Sequence, residues 1–73
     1  MTTVAALGED ALVEGFALAG AVVFGADDDA AVDRAWEALP GDVAVLILTP
    51  RAAARLRPRF AERPSLLVTV GPE

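Results

Sequence analysis

Residues Val43 to Leu48 read Val-Ala-Val-Leu-Ile-Leu, six consecutive apolar residues that are followed at once by Thr49 and Pro50. An apolar run without alternation predicts a strand that is covered on both faces, as a parallel sheet requires. Thr49 suits the cap of a following helix, and Pro50 suits the first turn of that helix. The run therefore predicts a central strand that leads directly into a crossover helix.

The same order of apolar strand, polar cap and short helix occurs before and after this segment. The predicted strands are Thr3 to Leu7, Ala21 to Phe24, Val43 to Leu48 and Leu66 to Val70. The predicted helices are Ala11 to Ala19, a second from Asp27 or Asp28 to Leu39, and a third from Pro50 to about Arg57. The apolar positions of each helix follow a helical stripe, which in the second helix consists of Val32, Ala35, Trp36 and Leu39.

Local signals predict where these helices begin and end. Asp10 is expected to cap the first helix, and Gly20 is expected to follow its last turn as the C′ residue. Pro40 and Gly41 end the second helix, and Pro58 is expected to stop the third.

Four strands joined by three crossover helices predict one α/β domain over residues 1–73, a small parallel sheet. Right-handed crossovers favour the strand order 2-1-3-4, a core like that of flavodoxin or of receiver domains. The first helix then lies on one face, and the other two helices lie together on the opposite face.

Charges on the second and third helices should meet in this arrangement. Asp29, Asp33 and Glu37 form an acidic ridge on the second helix. Arg51 and Arg55 line one side of the third helix, with Arg59 just beyond it. We expect salt bridges on a solvated surface, each contributing little to stability.

The predicted sheet is incompletely covered. The first helix shields strands one and two, but no fourth helix is available to shield strands three and four on the same face. The two edge strands also carry no charge, although exposed edges are usually protected by charged residues. These features predict an apolar docking surface. The alternatives are that the short helices tilt far enough to hide the patch, or that two copies of the chain pair.

Gly15 is unusual because a glycine inside a helix costs about 1 kcal/mol relative to alanine. The favoured interpretation is that the first helix packs closely against strand one or two at this point. The alternative is close contact of Gly15 with another subunit.

Composition excludes several functional classes. A chain of 73 residues with no Cys and no His has neither disulfides nor the usual soft metal ligands to support a thin core, so a protein partner is the remaining support. The net charge of −5 argues against a nucleic-acid or anionic-membrane binder. No apolar run reaches the roughly 20 residues that span a bilayer, and Met1-Thr2-Thr3 lacks a signal-peptide charge, so a cytoplasmic location is expected.

Catalytic motifs are also missing from the sequence. Glu9 and Asp10 could hold Mg²⁺ in the manner of a receiver domain, but Leu48-Thr49 stands where the phosphorylated Asp would be. Gly8-Glu9-Asp10-Ala11 is not a dinucleotide-binding loop. We expect no enzyme activity and no cofactor. The alternative function is a free-standing receiver-like domain that binds a small anion or metal near Glu9, Asp10 and Thr49.

The segment Leu7 to Gly20 reads Leu-Gly-Glu-Asp-Ala-Leu-Val-Glu-Gly-Phe-Ala-Leu-Ala-Gly. It resembles the opening of the F subunit of V/A-type rotary ATPases, in which an apolar strand is followed by Gly, acidic residues and Gly-Phe-x-Leu-Ala-Gly. Asp42 to Thr49 is similar to the central strand of that family, and Arg63 to Pro72 is similar to its last strand. The family usually continues into a C-terminal helix that engages the stalk, whereas this sequence finishes at Glu73.

The resemblance implies a non-catalytic rotor subunit of the central stalk, docked on the coiled coil of the D subunit and peripheral to the membrane. Its rotation would couple ATP hydrolysis or synthesis in the A and B subunits to proton or other ion transport. Ten residues are expected to bind the partner: Glu9, Asp10, Gly15, Phe16, Ala19, Gly20, Phe24, Leu66, Val68 and Val70. The isolated chain is a possible homo-oligomer.

Overall fold

The computed structural model of the protein describes residues 3–18 and 20–71. Four strands, β1 to β4, form one parallel sheet in the order β2-β1-β3-β4. The strands are β1 (Thr3–Gly8), β2 (Val22–Gly25), β3 (Val43–Leu48) and β4 (Leu67–Val70). The helices are α1 (Asp10–Ala17), α2 (Asp29–Ala38) and α3 (Pro50–Leu56), and a 3-10 helix (Arg57–Glu62) follows α3. The predicted α/β class, strand order and three crossover helices are confirmed.

The largest core lies between the sheet and the helix pair α2 and α3. Trp36 and Leu56 are buried there against Leu7, Leu46 and Leu48 of the two central strands. These strand residues lack solvent exposure because helices cover them on this side. We call this side the covered face. Its composition confirms that α2 and α3 pack together on one side of the sheet.

The end of α1 follows the glycine pattern that the sequence predicts. The Gly20 N–H donates to the Ala17 carbonyl at 3.1 Å, and the Ala21 N–H donates to the Phe16 carbonyl at 3.2 Å. These two bonds form a Schellman motif, and Gly20 adopts the positive φ of +92° that the motif requires. Because Gly20 and Ala21 complete the helix end, β2 begins at Val22 rather than at Ala21.

The predicted cap of α1 is wrong by one residue. Asp10 is the first residue of the helix, and Glu9 occupies the N-cap position without a capping bond from its side chain. The Asp10 N–H donates instead to the Asp27 carboxylate at 3.0 Å. The loop after β2 therefore satisfies the first N–H of the helix. The N–H groups of Leu12 and Val13, which a cap at Asp10 would have served, bond the Glu9 carbonyl.

The end of α3 at Leu56, just before Pro58, is as predicted, but the 3-10 helix that follows it was not predicted. The chain continues beyond α3 as a 3-10 helix with Pro58 in its first turn. A proline is tolerated there because the N–H groups of the first turn have no partner within the helix. Phe60 in this segment packs against Trp36 with the ring centroids 6.2 Å apart. The Trp36 indole N–H donates to Glu62 at 3.2 Å. These contacts hold the 3-10 helix against the core, and β4 starts at Leu67 instead of Leu66.

The expected meeting of acidic and basic residues occurs between α2 and the α3 segment. Arg55 binds Asp33 through two hydrogen bonds, and Arg59 binds both Glu37 and Glu62. Hydrogen bonding to Arg55 lowers the pKa of Asp33, and hydrogen bonding to Arg59, then to the Trp36 indole, lowers the pKa of Glu62.

Acid should therefore weaken the fold through these carboxylates. The pKa values of Asp33 and Glu62 are lowered in the folded state, so both carboxylates stabilise the fold at pH above their ordinary pKa values of 3.8 and 4.5. This stabilisation is lost as pH falls through their folded-state pKa values. Urea unfolding monitored by Trp36 fluorescence should show this loss. Arg59→Gln should flatten the pH dependence below about pH 4.5, whereas Arg57→Gln should leave it unchanged, since Arg57 forms none of the ion pairs within residues 3–18 and 20–71.

Gly8 should be essential to the packing between β1 and β3. A β-carbon at Gly8 would collide with the buried side chain of Thr49. We expect Gly8→Ala to lower the free energy of unfolding by about 2 kcal/mol, as overpacking typically does. Gly41→Ala is the matched control, because apart from its chain neighbours no atom of residues 3–18 and 20–71 lies within 4 Å of the added methyl group. Equal stability of the two variants in urea titrations would contradict the proposed collision.

Candidate docking surface

The side of the sheet opposite the covered face carries one helix. Within the described residues, α1 packs on β1 and β2. Val13 of α1 and Ala6 of β1 are both buried at this contact. The small size of Ala6 lets the helix lie close to the strands. This side of the sheet thus has a core of its own only beneath α1.

The remaining half of that side is exposed. Val45 pairs with Leu67 and Ile47 pairs with Thr69 in the register of β3 and β4, and these four residues alternate with the strand residues of the covered face. Leu67 is 65% exposed, and Val45 and Ile47 are only half-buried. We call the four residues Val45, Ile47, Leu67 and Thr69 the open face. The expected apolar patch is therefore present beside α1.

Contacts at the carboxyl edge of the sheet show which flank of α1 borders the open face. The Asp10 carboxylate lies over Gly25, at the end of β2. On the other flank, a β-carbon at Gly71 would lie 3.2 Å from Ile47 Cγ2 and 3.7 Å from Phe16 Cζ. Leu12 is one helical turn before Phe16 and shares its flank. Leu12 and Phe16 therefore form an apolar wall along the open face.

The outer surface of α1 is also uncharged over most of its length. Ala11, Gly15 and Leu18 are exposed, and Leu18 is 94% exposed. The acidic residue Glu14 follows Asp10 by one turn and so lies on the flank toward β2. An amphipathic surface helix normally carries charged or polar residues on its outer side. The outer surface of α1 instead has the composition of a contact surface.

Gly15 does not pack against the sheet, which was the favoured interpretation of its place in the sequence. Apart from the adjoining residues and backbone of α1 itself, no atom of the described chain lies within 4 Å of a β-carbon at Gly15, and the residue is exposed. Packing against strand one or two is therefore wrong, because Gly15 points away from the sheet. Contact with another subunit stays a prediction.

The other predicted partner-binding residues lie in several different places. Phe24, Leu66 and Val68 are half-buried and pack against the core of the covered face. Val70 is exposed on the edge strand β4, and Gly20 is exposed at the end of α1. Ala19 lies outside the described residues. The structure thus brings Phe16 together with the open face but directs Leu66 and Val68 away from it.

Leu12, Leu18 and Leu67 were not among the residues predicted to bind a partner. Leu66, Val68 and Val70 alternate with Leu67 and Thr69 along β4, and both sets are mostly apolar. Hydropathy alone could not rank the two sides of that strand. The pairing of Leu67 with Val45 determines that Leu67 belongs to the open face.

The carboxyl edge of the sheet brings Glu9 and Thr49 into direct contact. The Thr49 hydroxyl donates to the Glu9 carboxylate at 2.6 Å and accepts from the Ala52 N–H at 3.4 Å. The hydroxyl therefore caps α3 and bonds the residue that precedes α1. Within residues 3–18 and 20–71, no group of three acidic side chains could hold a metal ion. Binding of a small ligand near Glu9, Asp10 and Thr49 remains a prediction with no contact in its favour.

No helix in the described part of the chain has the length and apolar character needed to cross a bilayer. Comparison with protein-family models, curated proteins and solved structures finds no match. The function is therefore inferred from the residues and surfaces described above.

The two hydrogen bonds of the Thr49 hydroxyl should contribute measurably to the free energy of unfolding. Thr49→Val keeps the shape of the side chain but removes the cap of α3 and the bond to Glu9, so the free energy of unfolding should fall by about 1 kcal/mol. Thr49→Ser keeps the hydroxyl and should retain the capping bond. Thermal and urea unfolding of both variants would test this prediction, and a Thr49→Val variant as stable as the parent protein would contradict it.

Proposed function

We propose that this chain is a non-catalytic docking subunit that serves in the central stalk of a V/A-type rotary ATPase. In this proposal it binds the coiled coil of the D subunit and turns with it, linking ATP hydrolysis or synthesis to ion transport. The observation that carries the proposal is the open face, an uncharged surface bordered by Phe16. The protein would be peripheral to the membrane through the complex.

The position of the resemblance on the fold supports this function. The segment Gly-Phe-x-Leu-Ala-Gly begins at Gly15 and ends at Gly20, so it covers the second half of α1 and the turn that follows. Its Phe16 is part of the apolar wall. The motif residue that carries the largest apolar side chain therefore borders the surface that lacks a cover.

The dimensions of the open face suit a helix from a partner. Neighbouring strands are about 4.8 Å apart, so β3 and β4 offer a strip about 10 Å wide. A helix with its side chains is about 10 Å across. On the covered face, two helices lie side by side over the same four strands. One helix of a coiled coil would occupy the equivalent position beside α1.

Docking of this kind would transmit torque through packing. Burying the exposed part of Leu67 would contribute about 1 kcal/mol, and Phe16, Leu12 and Ile47 would add contacts around it. The flank of α1 that faces the strip has no charge that would need to be desolvated. A close apolar contact of this kind resists sliding, because each displacement exposes buried surface to water.

Binding of the chain to the coiled coil of a D subunit tests the proposal. Co-purification or calorimetry should detect a complex with the parent protein, and Leu67→Asp or Phe16→Asp should abolish it, because each places a charge within the apolar contact. Val22→Asp is the matched control, since Val22 is 48% exposed on the opposite edge strand. Its complex should survive.

Each variant must first show the circular dichroism of the parent protein. Failure of the folded parent chain to bind any such coiled coil would remove the stalk function. Binding that persists in a folded Leu67→Asp variant would remove the open face from the interface.

A further inference from the structure

The side of the sheet that carries α1 has the shape of a step. The helix forms a ridge over β1 and β2, and the open face forms a floor of nearly the same width over β3 and β4. The ridge and the floor are both uncharged, apart from the acidic flank of α1 that faces β2. A surface with one ridge and one matching floor can complement itself after a rotation of 180°.

We propose that a second copy of this chain covers the open face, with α1 of each copy lying on β3 and β4 of the other copy. A two-fold axis parallel to the strands brings this about. The two α1 helices then lie side by side between the two sheets. This pairing goes beyond the proposed stalk function and does not depend on it.

The distribution of charge on α1 agrees with this arrangement. The flank with Leu12 and Phe16 faces the two-fold axis and meets the same residues of the other copy. The flank with Asp10 and Glu14 faces outward to solvent, so the acidic groups of the two copies are kept apart. A different axis that placed these flanks together would bring four carboxylates close to each other.

The outer surface of α1 agrees as well. Ala11 and Gly15 have small side chains and would let the helix backbone approach the floor of the other copy closely. Leu18, which is 94% exposed in one copy, would gain an apolar environment. Within the described part of one chain, no other element contacts the β-carbon position of Gly15. In the pair, the floor of the other copy would lie against this position.

A stable pairing requires a certain area of contact. A typical stable interface buries about 800 Å² of each partner. That is about a fifth of the 4289 Å² of accessible surface of this chain. The outer surface of α1, its apolar wall and the open face would together have to supply this area.

Sedimentation across a wide concentration range should show a 7.5 kDa chain in equilibrium with a species of twice that mass. Leu67→Asp and Gly15→Glu should each raise the dissociation constant at least about tenfold, because each buries an unpaired charge in the interface. Gly15→Glu should also raise the thermal unfolding midpoint of the monomer, since it replaces a glycine within a helix. This second effect excludes unfolding as the cause of dissociation.

Two control variants test whether the interface lies on the side of the sheet that carries α1. Val22→Asp introduces the same charge on the other edge strand, and Ala30→Glu introduces it in the first turns of α2 on the covered face. Both variants should dimerise like the parent protein. A monomer at every concentration would overturn the proposal, and so would a dimer that is insensitive to Leu67→Asp and Gly15→Glu or equally sensitive to the controls.

Crosslinking tests the two-fold axis. The chain has no Cys, so a single introduced cysteine reports only on its own position. Under mild oxidation Leu12→Cys should form a disulfide-linked dimer, because the Leu12 flanks face each other across the axis. Glu14→Cys, on the outer flank of the same helix, should remain a monomer on a non-reducing gel. The reverse result would overturn this arrangement of the helices.

Discussion

The structure depends on an unequal supply of helices to the two sides of one sheet. Four parallel strands need cover on both faces, because their side chains are apolar on both. The right-handed crossovers place α2 and α3 on one face and α1 on the other. The covered face therefore receives a continuous core around Trp36. On the other face, among the described residues, burial is complete only where Val13 packs on Ala6. Exposure of Leu67 follows directly from this arrangement.

The contacts that complete the covered face are made by residues that are distant in sequence. Arg55 joins Asp33 across the helix pair, and Glu62 bonds the indole of Trp36 from the 3-10 helix. The guanidinium of Arg63 lies 5.8 Å from the Trp36 ring and donates to the Leu39 carbonyl at 2.6 Å. This face is thus closed by polar contacts at its rim as well as by apolar packing. The open face borders Phe16, but Leu67 on it stays 65% exposed.

The two proposals assign different occupants to one surface. A stalk coiled coil and a second copy of the chain would both cover Leu67 and contact Phe16, so each would exclude the other. A free chain that pairs with itself would keep its apolar surface from water until a partner displaced the second copy. For a chain of 73 residues, whose own core is thin, either occupant would add burial that the single chain lacks.

Hydropathy and cap residues in the sequence were enough to determine the elements and their order. The bounds of β3, the capping role of Thr49 and the strand order are as predicted, because an apolar run and its cap are local signals. Where distant residues compete with local ones, the tertiary structure decided. The N-cap of α1 lies at Glu9, with the Asp10 N–H bonded to Asp27, and a 3-10 helix that packs on Trp36 follows the predicted end of α3. The open side of β4 was likewise decided only by its pairing with β3, since Leu67 and Val68 are both strongly apolar and differ mainly in the face to which the sheet directs them.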